Sequence, residues 1–158
     1  MNAQTKTIAG QSVDAITDAL ITASRLLVSI SARSIAEVDD AITIPQFRVL
    51  VILSNRGITN LATLAGLLDV QPSTIGRMAD RLVAAGLIDR RPHPTSRREL
   101  LVELTARGRK VVRTVTARRR AEVARVVEAM PERQRQGMVG ALTAFTEAGG
   151  EPPATIDF

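Results

Sequence analysis

The sequence predicts a mainly helical chain with one small β-hairpin, an α+β arrangement, on three observations. Apolar residues recur at steps of three and four through most of the 158 residues. The period shortens to about two on either side of a single loop rich in Pro and Arg. Most helical stretches open on a Thr or Asn cap, or on a Pro suited to a first turn.

The first stretch, residues 13–38, carries Val13, Ile16, Leu20, Ala23, Leu27 and Ile30 on one stripe, widened by Ile21, Leu26, Val28 and Ile35. So broad an apolar face needs partner contact as well as a core to cover it. Thr43-Ile44-Pro45-Gln46 reads as a capping box, followed by Phe47, Leu50, Val51 and Leu53 and a stop at Asn55-Arg56-Gly57. Asn60 caps a short helix burying Leu61, Leu64, Ala65 and Leu68. After Asp69-Val70-Gln71, Pro72 opens a helix that buries Ile75, Met78, Ala79 and Leu82 and ends at Gly86. Residues 87–91 and 100–104 are strands joined by the basic loop 92–99. Thr105 caps a helix to about Met130, and Pro131 opens a last helix with Met138, Ala141, Leu142 and Phe145 on one face.

Composition narrows the function. The chain has no Cys, which excludes disulfides, thiolate catalysis, thiol sensing and Cys-ligated zinc, and one His argues against a metal site. No cofactor is expected. Aromatic content of 2% disfavours single-stranded nucleic acid, which is gripped by stacking. With neither a signal-peptide order at the N-terminus nor an apolar run approaching bilayer length, no membrane partner is expected and the compartment is read as cytoplasmic. The net charge of +5 is unevenly spread, because residues 86–120 hold eleven basic and three acidic side chains while 121–158 hold three and six. A basic block beside an acidic flank describes a surface for a polyanion.

Two short helices joined by a tight turn and followed at once by a basic hairpin form a winged helix-turn-helix. Ala65, Val70, Ile75 and Met78 suit its internal contacts. The other face of the second helix offers Gln71, Ser73, Thr74 and Arg77, with Arg81 one turn on. An Arg fork matches guanine or a phosphate, Gln matches adenine, and hydroxyls at a helix N-terminus suit an anion. Arg97 and Arg98 stand at the wing tip, with His93, between two prolines, as a phosphate contact or a spacer.

These residues resemble the MarR family of bacterial regulators over nearly the whole chain. Thr43 to Leu50 is similar to the family's second-helix signature, Leu61 to Ala65 with Val70 to Leu82 to its reading head, Gly86 to Arg90 to its first wing strand, and Leu101 to Gly108 to its second wing strand and the next helix. The wing departs from the pattern. Where the family carries an Asp beside the tip arginine, this chain has Ser96-Arg97, so either Glu99 substitutes or Arg97 is looser.

The resemblance implies a homodimer built by 11–40 and 106–148, a DNA-binding region over 43–105, and flexible ends at 1–10 and 149–158. It implies double-stranded DNA as partner, an inverted-repeat operator with repression where that operator overlaps a promoter, and release by a small-molecule effector, for which Arg25, Ser29 and Arg48 are pocket candidates. The alternative is a helical dimeric adaptor or anti-regulator acting through protein partners. No catalytic constellation stands out, so no enzyme is expected.

Overall fold

Local hydrogen bonds at the helix ends set the architecture of the computed structural model, which describes residues 12–151. The expected flexible segment 1–10 and the end of the tail lie outside these residues. The elements run α1 (Val13–Ala36), α2 (Ile44–Arg56), β1 (Thr59–Asn60), α3 (Leu61–Leu68), α4 (Pro72–Ala84), β2 (Ile88–Pro92), β3 (Leu100–Leu104), α5 (Ala106–Glu128), α6 (Glu132–Arg135) and α7 (Met138–Ala148).

The capping box at Thr43 is complete, with the Gln46 N–H donating to Thr43 Oγ1 at 3.3 Å and the Thr43 N–H to Gln46 Oε1 at 3.0 Å. Asn60 accepts from the Thr63 N–H at 2.7 Å, and Thr105 from the Gly108 N–H at 3.0 Å. Gly57, at φ 76°, ends α2. Each such cap satisfies amides that a helix start leaves without partners.

Two features depart from the expected order. A short strand, β1, pairs antiparallel with β3 through Thr59↔Val102 and Asn60↔Leu101, so the hairpin is part of a three-stranded sheet in the order β1-β3-β2. The helix expected from Pro131 is broken at Gln136-Gly137, because Gly137 takes a φ of 78° that a continuous helix does not allow. Pro131 itself caps the short α6.

The core lies in the reading head. Leu50, Leu64, Ile75, Leu82, Leu87, Ile88, Val102 and Val115 are each essentially inaccessible, joining α2, α3, α4, the sheet and the first half of α5. Alternation shows on β3, where Val102 and Leu104 are buried, whereas on β2 only Ile88, opposite Leu104, is buried and Arg90, opposite Val102, stays exposed. At the junction with α1, Arg33 meets Glu122 at 2.9 Å, Arg118 pairs with Glu37, and Arg107 lies 3.9 Å from Asp39.

The terminal helices look very different. Of α1 only Ile30, Ser34 and Ile35 are buried, whereas Val13 is 79% exposed and Leu27 43%. No residue of α7 is buried, and Phe145 is 54% exposed. By length and composition α1 is also apolar enough to cross a membrane, although it is not a continuous apolar run. The sequence shows no uninterrupted apolar run there because Arg25 and several Ser and Thr residues divide it.

Candidate nucleic-acid interface

Helices α3 and α4 are joined by a turn in which Asp69 takes the left-handed conformation at φ 52° and the Val70 N–H closes on the Ala65 carbonyl at 3.0 Å. This angle turns α4 across α3. Ile75, Ala79 and Leu82 anchor α4 on the core, and the remaining faces of the helix look outward.

Gln71 stands at the N-cap of α4 without bonding its amide to the helix, so its side chain is not spent on capping. Ser73, Arg77 and Arg81 are exposed and Thr74 is partly so. Spacings of three and four bring Thr74, Arg77 and Arg81 onto one face, with Ser73 one turn before Arg77. Among the described residues none of these five side chains has a hydrogen bond or ion pair within the protomer. A helix face of uncommitted donors and cations, next to a helix N-terminus, is suited to an anionic polymer.

The wing projects beside it. Its loop is closed by the His93 N–H donating to the Glu99 carbonyl at 3.0 Å and by the Thr95 N–H donating to His93 Nδ1 at 3.2 Å. His93 is thus a brace of the loop. The Glu99 carboxylate faces His93 Nε2 at 3.9 Å, leaving Arg97 and Arg98 exposed and without an ion pair among the described residues. Glu99 therefore does not take over the missing acidic partner of Arg97.

One contact between these elements was not anticipated. Asp80 of α4 and Arg90 of β2 form an ion pair at 2.5 Å, fixing the wing to the recognition helix. Arg90 is carried there by its register opposite Val102, and Asp80 follows Arg77 by one turn, but only the tertiary fold shows that they meet.

None of the three residues expected at a ligand pocket lines either of two clefts of the protomer. Arg25 and Ser29 lie on the exposed part of α1, where Ser29 accepts from Arg33, and Arg48 of α2 faces Glu151 at 3.6 Å. Those clefts, both open to solvent, are lined instead by residues around Gly57, Glu103 and Arg109, and around Glu37, Asp39 and Lys110.

A recognition helix locked to a basic hairpin defines a winged helix-turn-helix protein. The family model "MarR family" matches residues 42–100, from the end of the α1–α2 connection to the start of β3. The crystal structure of RV1404 from Mycobacterium tuberculosis is 72% identical and superposes with a TM-score of 0.83, covering 93% of this chain and 100% of that one. The multiple antibiotic resistance protein MarR of Salmonella typhimurium is 39% identical over 67 residues, 42% of this chain and 46% of that protein. Streptococcus pneumoniae FabT, solved in complex with DNA, shares the fold with a TM-score of 0.75 at 18% identity over 88% of this chain and 98% of its own. Matches to the first curated relatives span 66% and 46% of their length. The chain belongs to the MarR family, whose members are transcriptional regulators.

Proposed function

We propose that the protein binds double-stranded DNA as a homodimer and represses transcription where its operator overlaps a promoter. The observation that carries this reading is the free polar face of α4, locked to an arginine-tipped wing. The fold shared with FabT, a protein solved on DNA, supports it. Helix α4 lies in the major groove, with Arg77 reading a base edge and Ser73 and Thr74 at phosphate or base. Arg97, with Arg98 behind it, enters the adjacent minor groove.

The apolar faces of α1 and α7, exposed in the protomer, are covered by the same helices of a second copy. Two-fold symmetry then sets paired recognition helices about 34 Å apart, one turn of duplex, and the operator is an inverted repeat. On this reading the protein works in the cytoplasm and carries out no catalysis.

The test is a salt titration of duplex binding followed by fluorescence anisotropy. Log affinity is expected to fall linearly with log salt, at about −0.9 per phosphate neutralised. A flat response sinks the reading in favour of a protein-partner role. Arg77→Ala is expected to lose about 1–3 kcal/mol of operator affinity and to relax preference at one symmetric pair of positions. Equal weakening on every sequence would make Arg77 a phosphate clamp instead.

A further inference from the structure

Gly76 lies inside α4, where glycine is the least favourable residue after proline. Nothing within the protomer asks for it. Its φ is not among the positive ones, and a Cβ at this position would have no atom within 4 Å. Gly66 of α3 and Gly140 of α7 are equally open, so openness alone does not distinguish it. Its position does.

Gly76 falls three residues after Ser73 and four before Asp80, so it shares a flank of α4 with Asp80. That flank faces the wing, because Arg90 of β2 holds the Asp80 carboxylate at 2.5 Å. A helix in the major groove and a wing in the neighbouring minor groove must straddle the sugar-phosphate strand that divides the two grooves. The strand therefore passes between α4 and the hairpin, over the flank where position 76 has no side chain. Electrostatics favour the same path, since Arg90 offsets the nearest carboxylate and Arg77 stands free beside it. Close approach of a backbone is a recurrent reason for glycine in a regular element.

We propose that Gly76 is the point at which the DNA sugar-phosphate strand crosses the protein between recognition helix and wing. This inference rests on the duplex-binding reading above. The test compares wild type and Gly76→Ala by thermal unfolding and by anisotropy on two labelled duplexes. One carries the region upstream of the protein's own gene, and the other is a scrambled sequence of equal composition.

The variant is expected to melt about 2–4 °C higher, as a helix-interior Gly→Ala exchange does in a protein of this size. Its Kd is expected to rise at least about tenfold on both duplexes, because the strand is met whatever the sequence. A Kd within twofold of wild type overturns the inference, and so does a loss confined to the upstream duplex, which would put a base edge at Gly76. A lower melting temperature also overturns it, by showing that the fold itself needs the glycine. If wild-type protein binds neither duplex, the proposed function falls and the inference with it, whereas normal wild-type binding with an unaffected variant removes the inference alone.

Discussion

Replacing Gly108 with alanine is expected to destabilise the protein by on the order of 3 kcal/mol, the upper end of what overpacking a tight contact costs. A Cβ on Gly108 would lie 2.0 Å from the Leu87 carbonyl oxygen and 3.1 Å from a Leu104 side-chain carbon. The oxygen cannot simply move away. It accepts the Thr105 N–H at 3.1 Å, while the Thr105 hydroxyl donates to the Gly86 carbonyl at 2.7 Å and caps α5 at the Gly108 N–H. Leu87 is fully buried, so the first turn of α5, the start of the wing and the core are tied in one knot. Relief of the clash must pull α5 from the sheet or break the cap. At fixed protein concentration, the melting temperature followed by circular dichroism should drop roughly 6–12 °C. A change under about 2 °C would show that the junction yields without loss and would refute the tight contact. The same exchange at Gly76 is expected to raise the melting temperature, so the two glycines separate a demand of the fold from a demand of the bound state.

Features written in adjacent residues were legible in the sequence. Thr43 and Gln46, Asn60 and Thr63, and Thr105 and Gly108 each lie three apart, and all three caps stand as expected. Helical period likewise put Ile75, Ala79 and Leu82 inward and Arg77 and Arg81 outward. What needed distant partners was not legible. Strand β1 is two residues long and exists only because Val102 and Leu101 come alongside, although the β-branched pair Ile58-Thr59 was a signal. The Asp80–Arg90 pair and the turning of Glu99 toward His93 depend on how the hairpin folds over α4, which no spacing rule encodes. Gly137 was visible, but a helix tolerates an isolated glycine, and only its positive φ makes it a break.

Changing Leu27 to glutamate is expected to have the largest effect on DNA binding while leaving the protomer fold in place. Leu27 is 43% exposed in the protomer, on the part of α1 that precedes its buried residues Ile30, Ser34 and Ile35, so the reading-head core does not depend on it. In the proposed dimer that position is covered by the second copy. An unpaired carboxylate buried there costs several kcal/mol, and two-fold symmetry places two of them in each interface. Loss of the dimer removes the second reading head from the operator, and with it the gain of about 10²–10⁴ in affinity that linked binding provides. Far-UV circular dichroism should therefore show little change, sedimentation should show a monomer at micromolar concentration, and operator affinity should fall by at least about a hundredfold. A wild-type monomer under the same conditions would end the dimer model. A variant that stays dimeric and keeps full operator affinity would instead move the seam away from Leu27, leaving Leu142 and Phe145 of α7, also exposed in the protomer, as the apolar surface to test next.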